Sequence, residues 1–357
     1  MIVFYVFILI LALWGVSYRN NEHGRSQYLS KNSTNAIKGI CILLVFLRHG
    51  NQYIYESGYD YSTIGDKLFA LTDGLLGQLI VVMFLFFSGY GVICSIHKKG
   101  IDYVKRIPKH RALATLINFD IAIVFFIILA IAMGTPLSCK QVILSFLCWE
   151  EVGNSNWYIF VIIACYLSTW IAFSLCGFKE NRQRNNILAI TINFIILLIV
   201  ILILVQSGKA RCWYDTILVY PLGMLYGAFK GEIESFINIK HNYILILILS
   251  VVLFVFSYVT LFIDETSTYS LFLKETGWYL RVVSAIIITL LIMMRIKVEN
   301  GALIWLGSNL FPLYIYQRLP MIIIAKYITC NPYIFFVMSF IITCSIVPLY
   351  KKIKVEI

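Results

Sequence analysis

Charged side chains are scarce in this sequence. Asp, Glu, Lys and Arg make up 13% of its 357 residues, where an ordinary soluble domain carries about 25%. With 60% apolar residues and a mean hydropathy of +0.84, this excludes a large soluble domain and indicates a polytopic membrane protein. No Walker sequence, Rossmann glycine fingerprint or GxSxG elbow occurs, so P-loop, dinucleotide and α/β-hydrolase chemistries lack their usual motifs. No internal repeat or low-complexity tract is present. The nine cysteines include no CxxC and no metal-ligand spacing. Cys139 and Cys148 share one loop, where a disulfide and two free thiols are both open.

What fills the chain is apolar sequence. Eleven segments stand out, at about 1–17, 35–50, 74–96, 112–133, 156–176, 187–205, 213–229, 242–263, 278–294, 303–324 and 332–350. The first lacks a basic leader and a small-residue cleavage site, so it reads as a retained helix. The net charge of +11 is informative through its placement. Of the 29 Lys and Arg, 19 fall in one alternating set of loops and in the tail after 350, and six fall in the opposite set. Lys38, Arg48, Arg281 and Arg318 lie within segments or at their rims. The basic set therefore belongs in the cytoplasm, and its charge sets topology rather than marking a nucleic-acid surface. The expected fold is an all-α polytopic membrane protein of about eleven transmembrane helices, N-terminus outside and C-terminus cytoplasmic.

The second segment, "IKGICILLVFLRHG", carries Lys38 toward one side and Arg48-His49 toward the other. Lys38 and His49 are eleven residues apart, about three helical turns, so they share a face with about 16 Å between them along the axis. His23, His97, His110 and His241 fall at the cytoplasmic side; His49 alone lies toward the outer side. A neutral imidazole can take a proton from a hydroxyl. Arg48 and His49 equally fit an interfacial helix anchor. In "MFLFFSGYG" the Ser88-Gly89 pair reads as a packing notch in preference to a serine nucleophile. A basic cluster follows, with Arg106 and Lys109 among six cations. It fixes topology or holds a phosphorylated donor. Asp120, mid-span, calls for a partner.

These residues together resemble the acyltransferase-3 family of membrane acyltransferases. Lys38-x10-His49 is similar to the family's early basic-x10-histidine pattern, with lysine where arginine is usual. "FLFFSGY" (84–90) matches its Ser-Gly helix, and Arg106-Ile-Pro-Lys109 is a loose match to its basic pair. "NSNWYIFVIIACYL", "WYDTILVYPLGMLYG" and "IWLGSNLFPLYIYQ" resemble later segments, the last with Gln317 where the family usually has histidine. The likeness runs from about residue 33 to 350. It implies a ten-helix core preceded by an extra helix: residues 1–34, then an acyltransferase domain at 35–357. It further implies transfer of an acyl group, commonly acetyl, from cytoplasmic acetyl-CoA to a hydroxyl of a cell-surface or lipid-linked glycan, in a bacterial inner or plasma membrane. Acyl-CoA is then a substrate and no resident cofactor or metal is expected. On this reading His49 is the general base, or carries the acyl group covalently before transfer, and Asp73 orients it. Lys38, Arg106 and Lys109 hold CoA phosphates. Arg48, Ser88, Tyr90 and Trp157 are candidates for the acceptor or oxyanion. A glycan or lipid flippase is the rival class; it expects repeated halves and leaves the Lys38–His49 spacing without a role.

Overall fold

The computed structural model describes residues 1–19, 27–176, 182–264, 267–327 and 331–357; His23 lies outside them. It is a helical bundle with one short two-stranded ribbon, Val16–Tyr18 paired antiparallel with Ile296–Val298. Among the described residues, seven helices are long and apolar enough to cross a membrane: Ile64–Lys99 (with a break near Gly77), Ile101–Ala132, Trp157–Cys176, Asn185–Gln206, Lys240–Phe262, Thr268–Arg295 and Pro332–Ile353. They correspond to seven of the eleven expected segments.

The other four segments take different forms. Residues 3–13 make an 11-residue helix, held by stacking of Phe4 on Phe336 and Tyr5 on Phe69. The His49 helix, Lys31–Glu56, is 26 residues long, about 39 Å at 1.5 Å per residue, and Ser30 caps its start by accepting from the Ser33 amide. The segment at 213–229 yields only a ten-residue helix, Val219–Ala228. The segment at 303–324 is broken into Gly301–Ser308, Leu310–Tyr316 and Arg318–Tyr327.

Glycine sets how closely the central helices approach. A Cβ on Gly89 would sit 2.0 Å from the Tyr220 carbonyl oxygen, and one on Gly223 2.2 Å from that of Phe86. The Ser88-Gly89 notch is thus the seat of Val219–Ala228. On the other side, Gly39 and Gly307 let the His49 helix meet Gly301–Ser308 with backbone against backbone. The His49 helix packs against both Leu79–Lys99 and Gly301–Ser308.

Polar contacts gather at the two ends of the bundle. At the Lys38 end are the ribbon, the Arg19 hydrogen bonds to Met293 O and Ser33 Oγ, the Lys230–Glu234 pair and Asn118 with Val355. At the His49 end are Arg48–Asp73, Lys209–Glu150, Arg211–Glu275 and Lys326 with Met133 O. This is the alternation of loops that the charge count used. Buried Arg281 is satisfied locally: it donates to Ser257 O at 2.9 Å, at the last residue of a helix, and lies 4.1 Å from the Tyr258 ring centroid. A cation at a helix C-terminus is favoured by the aligned peptide dipoles. Half-buried Asp120, by contrast, makes no ion pair among the described residues, and its Oδ1 has no hydrogen-bond partner. Cys139 and Cys148 are free thiols.

Candidate active site

Near the His49 end a cavity of about 330 Å³ opens between the His49 helix, the Gly77 break, the loop before Trp157 and the late broken helix. The other large hollows are lined almost wholly by aliphatic and aromatic side chains. This one has Arg48, His49, Gln52, Gln78, Glu151, Ser155, Trp157, Tyr314 and Arg318 in its wall.

His49 is buried, and its Nδ1 has no hydrogen-bond partner. Its ring lies 6.0 Å, centroid to centroid, from that of Tyr314. One turn on, Gln52 Oε1 accepts from Arg318 Nη2 at 2.5 Å. Positions i and i+3 on one helix therefore face positions i and i+4 of the broken helix. Four polar atoms of lining residues are buried without partners: His49 Nδ1, Gln78 Oε1, Tyr314 Oη and Arg318 Nε. Buried polar groups are normally satisfied, so a wall carrying four orphans is suited to a polar ligand that completes them.

The Trp157 side of the wall is fixed by its own loop. Asn156 Nδ2 donates to Cys148 O at 2.8 Å and Glu150 O at 2.9 Å. Asn154 Oδ1 accepts from the Val152 amide at 2.8 Å. The two asparagines of "NSNW" thus fold the chain so that Trp157 starts its helix at the cavity rim. Burial raises the pKa of the Glu151 carboxyl, and the positive charge of Arg318 partly opposes that rise.

The expected site residues divide between the two ends. His49, Arg48 and Trp157 line the cavity together. Asp73 is turned to a different task. It pairs with Arg48 at 2.8 Å and accepts from Asn51 Nδ2 at 2.8 Å, while Tyr61 donates to Asn51 Oδ1 at 2.7 Å. Among the described residues Asp73 makes no hydrogen bond to His49. Ser88 and Tyr90 lie outside the cavity wall; Ser88 Oγ and Tyr166 Oη are 3.2 Å apart, and Tyr90 packs against the Tyr226 ring. Lys38 is half-buried and donates to Asn35 Oδ1 at 3.1 Å. Arg106 and Lys109 are exposed, on either side of the start of a π-helical turn, Pro108–Leu113, a form often found at functional sites.

A family model described as an acyltransferase domain, Acyl_transf_3, matches residues 31–350. The chain belongs to the acyltransferase-3 family. Neither the curated proteins nor the solved structures compared with it hold a match. The family match starts at the first residue of the His49 helix and leaves residues 1–30 ahead of it. In this acyltransferase Gln317 is fully buried and donates from Nε2 to Tyr314 O at 3.0 Å, at the kink between two helical pieces. Sequence reasoning passed over Gln52, Gln78, Glu151, Ser155, Tyr314 and Arg318, which line this cavity. The available signals were the His49/Gln52 and Tyr314/Arg318 helical spacings and a lone arginine at the rim of an apolar segment.

Proposed function

We propose that this membrane acyltransferase transfers acetyl from cytoplasmic acetyl-CoA to a hydroxyl of a cell-surface or lipid-linked glycan. The observation that carries the reading is His49. It is a buried imidazole whose Nδ1 has no hydrogen-bond partner, in a polar cavity at one end of a helix whose other end bears Lys38. The excess of Lys and Arg at the Lys38 end supports a cytoplasmic position for that end, beside the CoA pool, with the His49 cavity toward the outer face of a bacterial inner or plasma membrane.

Lys38, Arg106 and Lys109 meet the CoA phosphates, and the pantetheine arm runs inward along the helix. The acceptor sugar enters beside Trp157, whose ring can stack on a sugar face. Glu151 and Gln78 accept hydrogen bonds from its other hydroxyls. His49 takes the proton of the attacking hydroxyl as its oxygen bonds to the thioester carbonyl carbon. The tetrahedral intermediate collapses, the C–S bond breaks, and the sulfur leaves with the proton returned by His49. Asp73 acts through Arg48, holding that guanidinium at the cavity edge.

The test uses the full chain in lipid nanodiscs with radiolabelled acetyl-CoA and extracted surface glycan. Label should enter the glycan with the unaltered protein and not with folded His49→Ala. A folded protein that neither binds CoA nor labels glycan would overturn this reading in favour of a flippase.

A further inference from the structure

We infer that Tyr314 and Arg318 are the donors that hold the oxyanion of the tetrahedral intermediate. The inference rests on the acyl-transfer reading with His49 as base. When the hydroxyl oxygen bonds to the thioester carbon, the carbonyl π electrons move to oxygen, and that oxygen becomes an anion next to the imidazole. Fixed donors already aimed at such an oxygen stabilise the transition state more than the ground state.

Arg318 Nε–H and Tyr314 Oη–H are both buried and without acceptors. Ser155 shares the wall near the Tyr314 hydroxyl, yet the hydroxyl makes no hydrogen bond of normal geometry. Both donors come from residues that meet the His49 face directly: Tyr314 through its ring at 6.0 Å and Arg318 through Gln52 at 2.5 Å. The guanidinium is held by Gln52 and by Tyr53, which takes a side-chain hydrogen bond from it and whose ring centroid lies 5.9 Å away, while Nε itself has no partner.

The two arginines of the cavity also differ in charge balance. Arg48 is neutralised by Asp73 at 2.8 Å. Arg318 makes no ion pair with a carboxylate among the described residues. The Glu151 carboxylate in the same wall acts on it electrostatically without forming an ion pair, so a transient anion at Nε would be the close partner that this cation lacks. The helix break sets this geometry. The buried Gln317 amide returns to Tyr314 O and turns the next piece so that Tyr314 and Arg318 still face one cavity.

The test compares the unaltered protein with Arg318→Lys, Arg318→Gln and Tyr314→Phe in nanodiscs, using acetyl-CoA and extracted glycan, with thermal unfolding checked for each. We expect kcat to fall about 10²–10³-fold in Arg318→Gln and about tenfold in Tyr314→Phe, with both KM values within about threefold. Arg318→Lys should recover part of the loss. Tyr314→Phe removes one oxygen only and keeps the inference testable should Arg318 variants fail to fold. Unchanged kcat in folded variants would overturn the inference while leaving His49-dependent transfer standing. So would a rise in acceptor KM at constant kcat, which would make Arg318 a reader of a resident anionic group on the glycan. A wild-type protein with no transfer from acetyl-CoA would overturn the parent reading first.

Discussion

At position 49 an imidazole shares a small cavity with two guanidiniums, a carboxylate and a tyrosine ring, and its Nδ1 has no partner. Replacing it with Gln keeps the volume and removes the base. Transfer should fall about 10²–10⁴-fold with thermal unfolding unchanged, read by label incorporation beside a melting curve. Glu151 carries a pH prediction. Its raised carboxyl pKa means that the carboxylate is lost, as pH falls, at a higher pH than for an ordinary glutamate near about 4.3. Acceptor KM should rise on that acid limb, and Glu151→Gln should flatten the limb while raising KM at neutral pH. Asp120 makes the opposite kind of prediction. A half-buried span carboxylate with no ion pair among the described residues costs stability, so Asp120→Asn should raise the unfolding temperature without changing transfer. A fall in that temperature would mean that the carboxylate has a structural partner. At this scale the sequence marks His49 and Trp157 by their place at the ends of apolar segments, and both line the cavity. The contacts of Asp73 were not legible. Sequence spacing could not show that Arg48 and Asn51, rather than His49, would take its carboxylate.

Among helices, close approach decides what can be substituted. A methyl on Gly89 meets the Tyr220 carbonyl and one on Gly307 meets that of Asn35. Neither neighbour is a flexible side-chain end, so the paired backbones must separate. Gly89→Ala and Gly307→Ala should each destabilise the protein by about 1–3 kcal/mol. A Cβ on Gly74 meets nothing within 4 Å, and Gly74→Ala, inside Ile64–Leu76, should be neutral or stabilising by up to about 1 kcal/mol. Thermal unfolding of the three variants in one detergent checks the contrast. The Ser88-Gly89 notch was readable from two small residues in a run of phenylalanines. The break points of the helix at 301–327 were not: the kinks at Asn309 and Gln317 come from packing and local hydrogen bonds. Tyr314 and Arg318 were hidden as site residues for that reason.

Across the whole molecule, hydropathy and charge carried the reading furthest. Among the described residues, seven of the eleven expected segments are helices fit to span, and the orientation rests on the distribution of basic residues. The cavity itself needed three dimensions, since residues near 48, 78, 151, 212 and 314 meet only in the bundle. The central claim is that an acyl group passes from the Lys38 end to the His49 cavity. The most direct measurement seals radiolabelled acetyl-CoA on the Lys38 side of uniformly oriented proteoliposomes and supplies glycan only on the His49 side. Labelled glycan on the His49 side, absent with His49→Gln, is the expected result. Label that appears only when donor and acceptor share one side would contradict it.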